Sequence, residues 1–207
     1  VDNSPTGVFF ETVLANFFKH HPARLPAIGW EHEIKTFTTQ DAQKFYNTWY
    51  TPNNAILLIA GDVTVEEVKA LAKKYYEVIP AKAKPRPLNI QEPKMKPLRQ
   101  RLEMSSPLIQ EPYFLRLFNA PNFKEGSRKD FYALQVLSEL LDKPVTGRIY
   151  RELVENQRIA TFIQISYQGY TRSPGYLLIL AQPAQGHTIE EVETALNKEI
   201  EKIIQHG

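Results

Sequence analysis

The first eighty residues show the apolar and polar pattern of a helix, a strand and a second helix. Thr38 and Asp41 form a capping pair, after which apolar positions recur at helical spacing: Ala42, Phe45, Tyr46, Trp49 and Tyr50. The run AILLIA at residues 55–60 is typical of a strand covered on both faces, so we expect Trp49 and Leu58 in a core. Thr64 and Glu67 form a second capping pair before a helix with its own apolar stripe: Val68, Leu71, Ala72 and Tyr75.

The second half of the chain shows the same two kinds of pattern. Apolar and alternating runs predict strands over residues 99–105, 112–120, 159–167 and 175–181. Helices are predicted after the Ser127–Asp130 pair, over 146–156, and after the Thr188–Glu191 pair. These elements predict sheets layered with amphipathic helices.

Two stretches of the chain resemble each other. ILLIA followed by TVEEVKAL, from Ile56, is similar to LLILA followed by TIEEVETAL, from Leu177. The likeness is consistent with a gene duplication or with one local strand–cap–helix arrangement used twice. Because few other positions match, the second interpretation is favoured.

Proline spacing predicts a connection between two domains. Pro80, Pro85, Pro87, Pro93 and Pro97 punctuate a lysine-rich polar stretch, and such stretches are extended and stiff. We therefore predict one domain over 1–80, a linker over 81–97 and a second domain over 98–207. The basic residues between 82 and 101 are interpreted as a solvated linker rather than a binding patch.

Composition excludes several classes of function. The chain has 207 residues, a net charge of +2 and no cysteine. A charge this small does not indicate a nucleic-acid partner, and the lack of cysteine rules out disulfides, thiolate nucleophiles and cysteine zinc sites. No apolar run is long enough to span a membrane.

Candidate chemistry is sparse in this sequence. A metal site can be drawn from His21, Glu31, His32 and Glu33, because imidazole and carboxylate groups are ordinary zinc ligands. Adjacent residues on a helix or strand point in different directions, however, so this site is disfavoured. No H-E-x-x-H, H-x-x-E-H, G-x-S-x-G or phosphate-loop pattern occurs. We assign no catalytic residue and no metal ligand.

Several segments together resemble a known family. They are DNSPTGVFFETVLANFFKHHP, LPAIGWEHEIKTFTTQDAQKFYNTWYTPNNAILLIAGDVTVEEV, FYALQVLSELLD and TGRIYRELVENQRIATFIQISY. With these, the chain resembles the later part of an inverse-zincin metallopeptidase of the insulinase/pitrilysin family, which includes mitochondrial processing peptidases and bacterial zinc proteases. The resemblance covers essentially the whole chain.

The resemblance implies an α+β fold, with mixed or antiparallel sheets covered by helices in repeated domains. It also implies paired subunits around a chamber for unfolded peptides. Family members hold zinc through H-x-x-E-H, whose Glu activates the bound water, and a later Glu. Neither motif is present in this sequence. The resemblance thus implies the end of a catalytic-type domain followed by most of an inactive one, with zinc in the parent protein and none in this chain.

Two positions depart from the family pattern. The second domain of relatives often carries an Arg and a Tyr, seven residues apart, that grip the substrate backbone. Val154 and Thr161 occupy these positions, so no substrate-binding residue is assigned. Arg158 and Tyr167 are nearby but out of register. In bacterial heterodimers of the family one subunit carries the zinc motif and the other the Arg/Tyr pair, so this chain resembles the zinc-bearing subunit.

Three hypotheses for function remain. The favoured one is a fragment of a zinc-dependent metalloendopeptidase acting on peptides or unfolded polypeptides, inactive by itself and serving as a structural part of the substrate chamber. The second is a non-catalytic partner subunit of a heterodimeric peptidase, and the third is an α/β binding module. The resemblance implies a peptide substrate, a homo- or heterodimer with a related subunit and, from exported bacterial relatives, a periplasmic location.

Overall fold

The structure, a computed structural model, describes residues 4–82, 90, 92–93 and 99–206. Four helices precede the first strand, and two further helices lie between the first strand and the other two. The helices and strands are α1 (Pro5–Phe17), α2 (Glu31–Ile34), α3 (Thr39–Trp49), α4 (Val65–Tyr76), β1 (Phe114–Ala120), α5 (Arg128–Asp142), α6 (Arg148–Tyr150), β2 (Ala160–Gln168), β3 (Gly175–Pro183) and α7 (Ile189–His206). Short 3-10 turns cover Pro22–Arg24 and Pro52–Asn54, and α6 continues into a π-helix over Arg151–Asn156.

The chain divides into two compact units. Val1–Leu25 belongs with Gln91–Gly207, and Pro26–Ile90 forms the other unit. This grouping follows spatial contacts, whereas the predicted division at 1–80, 81–97 and 98–207 concerns domains of the family and stays a prediction. Most of the predicted linker, residues 83–89, 91 and 94–98, lies outside the described residues.

The larger unit is built on an antiparallel sheet with strand order β1-β3-β2. Phe114 lies opposite Ala181, and Ile165 lies opposite Ile179, which makes β3 the central strand. The three strands confirm the predictions over 112–120, 159–167 and 175–181. The core forms where the sheet meets α5, α6, the π-helix and α7. Its buried residues are Leu141, Ile149, Leu153, Ala160, Ile163, Ile165, Ile179, Ala181, Val192 and Leu196. The α+β class with helices covering an antiparallel sheet is therefore correct.

The predicted capping pairs start their helices as expected. Thr38 Oγ1 accepts a hydrogen bond from Asp41 N at 3.2 Å, and Asp41 Oδ2 accepts one from Thr38 N at 3.0 Å. Thr64 and Glu67 repeat this arrangement at the start of α4. Each pair satisfies backbone N–H groups that the first helical turn leaves free.

Two predicted strands are absent, and the predicted core positions beside one of them are wrong. Residues 55–60 form no strand, Leu58 is 89% exposed and Trp49 is 39% exposed. A strand exists only where a neighbour supplies ladder hydrogen bonds, and the described residues of the 26–90 unit contain no strand. Residues 99–105 also form no strand. There, Arg101 is held instead by side-chain contacts to Glu103, Glu190 and Glu193.

Candidate functional site

Three of the four residues of the candidate metal site, His21, Glu31 and Glu33, make local contacts. His21 lies in the larger unit, where its Nδ1 accepts a hydrogen bond from Ala23 N at 3.1 Å and caps the turn Pro22–Arg24. A ring nitrogen used in this way has its lone pair directed at the backbone rather than at an ion. His21 therefore acts as a cap in this structure.

The other three candidates lie on α2, in the smaller unit. Glu31 forms an ion pair with Lys35 one turn later, and Glu33 Oε2 accepts a hydrogen bond from Trp30 N at 3.5 Å. Glu31, His32 and Glu33 are all exposed. Within the described residues, no three His, Cys, Asp or Glu side chains are placed to hold a metal ion. The side chains described here do not fit a zinc site, and the lack of a metal ligand in the whole chain stays a prediction.

Val154 and Thr161, at the family's substrate-gripping positions, lie on different elements. Val154 is on the π-helix Arg151–Asn156 and packs against the core. Thr161 is exposed at the irregular start of β2, where the register shifts between Ala160 and Phe162, and its hydroxyl donates to Gln182 O at 3.5 Å. Neither side chain offers the cationic or phenolic donor that the resemblance would require. The assignment of no substrate-binding residue stays a prediction.

The two out-of-register residues have other surroundings. Arg158 is exposed on a left-handed backbone with φ 55°. The Tyr167 hydroxyl donates a hydrogen bond to Pro121 O, and its ring packs against Phe131. Burial raises the pKa of Tyr167, so the phenol stays protonated as this donor. Tyr167 is therefore a structural contact of the larger unit.

Two shallow clefts open on the larger unit. One, of about 490 Å³, is lined by residues that include Gln157, His187, Glu191 and Lys198. His187 Nδ1, just before α7, lies 3.0 Å from Glu191 Oε2 in the first turn of that helix. The other cleft, of about 640 Å³, lies beside Tyr113, Phe162 and Gln182. Neither brings together a nucleophile, a base and an oxyanion donor, which an acyl-transfer site needs.

Polar side chains that sequence reasoning missed connect distant parts of the larger unit. Arg116 donates to Glu193 Oε1 at 2.6 Å and to Asn197 Oδ1 at 2.6 Å, joining β1 to α7. Asp142 Oδ1 accepts a hydrogen bond from Ile165 N at 2.7 Å on the outer edge of β2. These partners lie between 23 and 81 residues apart, so no local sequence pattern marks them. They hold the sheet and its helices together and show no chemistry of their own.

Hydropathy adds one further finding. None of the described helices combines the length and the apolar character needed to cross a bilayer.

Comparisons with known proteins agree on one family. The family model described as "Peptidase M16 inactive domain" matches residues 36–207. This match begins well before the predicted boundary at 81–97. The chain is also 33% identical over 163 residues to the zinc protease PqqE of Helicobacter pylori. The aligned region covers 77% of this chain and 36% of PqqE.

Solved structures show the same fold. A crystal structure of a protease from Helicobacter pylori matches with a TM-score of 0.80 and 28% identity, over 98% of this chain and 48% of the other. A putative M16-like peptidase from Alicyclobacillus acidocaldarius matches in fold, with a TM-score of 0.56 and 18% identity over 95% of this chain and 51% of the other. The chain thus spans about half the length of these solved chains and 36% of PqqE.

Proposed function

Because the chain belongs to the peptidase M16 family, we propose that it forms a non-catalytic part of a zinc-dependent metalloendopeptidase. The observation that carries the proposal is that the matched domain is the inactive one, in a chain similar to a protein named a zinc protease. The proposed substrates are peptides or unfolded polypeptides. In the whole protein, zinc and the water-activating base come from outside these 207 residues.

The arrangement of polar groups supports a structural role. His21, Glu31 and Glu33 are used by caps and an ion pair, and Tyr167 by a backbone carbonyl. Arg116 and Asp142 join sheet to helix inside the larger unit. Side chains satisfied in this way stabilise a folded wall and leave few groups to do chemistry on a substrate. We therefore propose that the chain provides part of the wall of a substrate chamber.

The test compares the isolated chain with the complete product of its gene. Both are purified, their zinc content is measured, and cleavage of fluorogenic peptides is followed with and without a chelator. The 207-residue chain is expected to hold less than one equivalent of zinc and to cleave nothing. The complete gene product is expected to carry zinc and to lose its activity in the chelator, because a zinc-bound water is the nucleophile in such enzymes. Stoichiometric zinc with chelator-sensitive cleavage by the 207-residue chain alone contradicts the proposal.

The same experiment separates this proposal from the non-catalytic partner subunit. A partner subunit predicts a complete gene product that binds no zinc, is inactive alone and raises the activity of a related subunit added to it. We propose association with a related subunit in either case, as a homo- or heterodimer. Light scattering of the complete gene product, alone and mixed with that subunit, measures this association.

A further inference from the structure

Two loops of the larger unit are fastened together at one end of its sheet. One loop joins β1 to α5, and the other joins β2 to β3. Asn122 Nδ2 donates a hydrogen bond to Ser173 O at 2.6 Å, and Phe123 N donates one to Gly169 O at 3.1 Å. Because the Asn122 side chain is buried, its hydrogen bond is shielded from water. The two loops therefore hold one another in place.

Three aromatic rings lie on these loops and at the start of α5. We call them the aromatic platform, and they are Phe123, Phe131 and Tyr170. The rings of Phe123 and Tyr170 are stacked, with centroids 5.7 Å apart and an interplanar angle of 30°. Phe131 is fully buried and meets both rings edge-on, with centroid distances of 5.4 Å and 4.7 Å. Stacked and edge-on pairs are favoured arrangements of aromatic rings, so the buried ring supports the two outer ones.

The outer rings of the platform remain accessible. Tyr170 is 70% exposed and Phe123 is 38% exposed. The loop is shaped around the rings, because a Cβ on Gly169 would lie 2.5 Å from the Tyr167 ring and 2.6 Å from the Phe131 ring. No platform residue lines either of the two clefts described above. The platform is thus a preformed part of the surface outside both clefts.

Four cationic side chains lie on the same loops and on the first turn of α5. They are Lys124, Arg128, Lys129 and Arg172, and all four are exposed. In the part of the chain that the structure describes, none of them forms an ion pair. The Arg128 guanidinium lies instead 5.3 Å from the centre of the Phe123 ring. Such a contact orients the guanidinium and leaves its N–H groups available for a carboxylate.

The charge around the platform differs from that elsewhere in the larger unit. Arg101 and Arg116 are both paired with glutamates of α7. Around the platform, two acids, Glu125 and Asp130, accompany the four cations, so this region is net positive. A positive surface with exposed aromatic rings is complementary to an acidic segment that also carries apolar side chains.

We propose that the aromatic platform and the cations around it dock an acidic segment of a partner protein. An apolar side chain of that segment lies against Phe123 and Tyr170, and its carboxylates pair with Arg128 and Arg172. Aromatic and arginine side chains carry much of the binding energy in protein interfaces, and a preformed surface loses little entropy on binding. The inference goes beyond the proposed peptidase role and does not depend on it.

Two other occupants fit the platform less well. A symmetric dimer through this surface would bring the same patch of each copy together, and so would place cations against cations. A nucleic acid is disfavoured because the whole chain carries a net charge of only +2.

Peptide binding tests the inference, measured by fluorescence anisotropy on the 207-residue chain and on the complete gene product. The probe is a short, blocked, fluorescein-labelled peptide of Glu, Leu and Phe, and its counterpart carries Lys in place of every Glu. The acidic probe is expected to bind both proteins and to bind more weakly as the salt concentration rises. Its basic counterpart is expected to bind about tenfold more weakly or worse, because it meets like charges.

Substitutions in the platform region locate the site. Tyr170→Ala and Arg172→Glu are each expected to weaken binding of the acidic probe by about tenfold or more. Tyr170→Phe keeps the ring and is expected to bind as the parent does. Arg172→Glu is also expected to strengthen binding of the basic peptide, which a general loss of folding would not do.

The matched controls lie on α4 of the smaller unit. Tyr75 is also an exposed tyrosine, with the Lys74 ammonium 5.3 Å from its ring centre, and Lys69 is an exposed cation. Tyr75→Ala and Lys69→Glu are expected to leave the affinity for the acidic probe unchanged. Thermal unfolding of each variant checks folding, and Arg172→Glu is expected to melt within about 2 °C of the parent because it changes only an exposed side chain.

Several outcomes overturn the inference. Equal binding of the two peptides, or a loss of binding in the α4 variants alone, would place the contact elsewhere. Binding of a single-stranded oligonucleotide in place of the acidic probe would assign the surface to nucleic acid, and a dimer that Tyr170→Ala dissociates would assign it to a second copy. Binding by the 207-residue chain but not by the complete gene product would show that the rest of the protein covers the platform. Cleavage of the probe that Tyr170→Ala abolishes would make the platform a substrate-binding surface.

Discussion

Glu92 Oε2 accepts a hydrogen bond from the backbone N–H of His21 at 2.7 Å, across 71 residues of sequence. The same oxygen accepts from His20 N at 3.0 Å, and Oε1 accepts from Lys19 N. One carboxylate thus satisfies three successive backbone donors just beyond α1. This cluster fastens Glu92 to the end of that helix.

The Glu92 contact predicts a loss of stability in acid. Burial raises the pKa of Glu92, but the three backbone N–H donors outweigh it and hold the pKa below its ordinary value of 4.5. Because the folded pKa is below the unfolded one, the stabilisation is present above about pH 4.5 and is lost as the pH falls through the folded pKa. Glu92→Gln is expected to lower the free energy of unfolding at pH 7 by about 1–2 kcal/mol.

Urea unfolding at pH 7 and in acid measures this effect. The difference between parent and Glu92→Gln is expected to shrink as the pH falls. Glu201→Gln, on an exposed glutamate of α7, is the control and is expected to stay within about 0.5 kcal/mol of the parent at every pH. A constant difference across the pH range would show that the charge of Glu92 contributes nothing.

A pair of leucines separates the core from the exposed apolar surface. Leu153 is fully buried on the π-helix, and Leu153→Ala is expected to cost about 2–5 kcal/mol through lost burial and the cavity left behind. Leu58 is 89% exposed, so Leu58→Ala in the 207-residue chain is expected to change stability by less than about 0.5 kcal/mol. Denaturant melts of both variants measure this contrast, and equal losses would contradict the assignment of the core.

Replacing the Asp142 carboxylate by the amide of Asn is predicted to stabilise the fold at neutral pH. Burial is the main cause that raises the pKa of Asp142, with a smaller contribution from Glu139, while the Ile165 N–H opposes the rise. Because the folded pKa is above the ordinary 3.8, the contribution of Asp142 to stability is fully present below that value and is lost as the pH rises through the folded pKa. Asn keeps the acceptor for Ile165 N without the buried charge.

Asp142→Asn is therefore expected to be as stable as the parent or up to about 1 kcal/mol more stable at pH 7, with the advantage disappearing below about pH 4. Thermal unfolding at both pH values measures it. Asp142→Ala, which removes the acceptor as well, is the matched variant and is expected to be less stable than the parent. A greater loss for Asn than for Ala would show that the Ile165 contact does not form.

Asn122 organises the turn after β1. It is 2% exposed, its Nδ2 donates to Ser173 O at 2.6 Å, and its Oδ1 accepts from Lys124 N at 2.8 Å and Glu125 N at 2.6 Å. Asn122→Ala leaves these backbone groups without partners and is expected to cost about 2–4 kcal/mol. Asn47→Ala, at an exposed position on α3, is the control and is expected to be neutral. Chemical denaturation of the two variants measures the difference.

The helices of this fold could be predicted because their signals are local. The Thr38–Asp41 and Thr64–Glu67 pairs act within one turn, so sequence alone locates the helix starts. The strand pattern was less reliable, because AILLIA and LLILA look alike and only the second has neighbouring strands in this structure. Sequence predicts which segments are able to form strands, while pairing decides which ones do.

Some features of the candidate site could likewise be predicted from the sequence, and others could not. The lack of H-x-x-E-H and the presence of Val154 and Thr161 at the gripping positions can be read directly from the sequence. The roles of His21 as a cap and of Tyr167 as a donor to Pro121 depend on contacts that exist only in the folded chain. The sequence around a single histidine or tyrosine does not indicate which group of the folded protein its side chain will hydrogen-bond.

The strand order of the larger unit has a consequence for how the chain folds as it is made. β1 and β2 each pair with β3 and not with one another, yet β3 is synthesised last of the three. On the ribosome, the nascent β1 and β2 have no hydrogen-bonding neighbour in this sheet until β3, which begins at Gly175, leaves the exit tunnel. Pairing β1 with β3 closes a long loop over residues 121–174, which is entropically costly. We therefore expect assembly of the sheet to be a late, slow step. A nascent chain arrested before Gly175 exposes two unpaired strands, and that is the stage at which it most needs a chaperone.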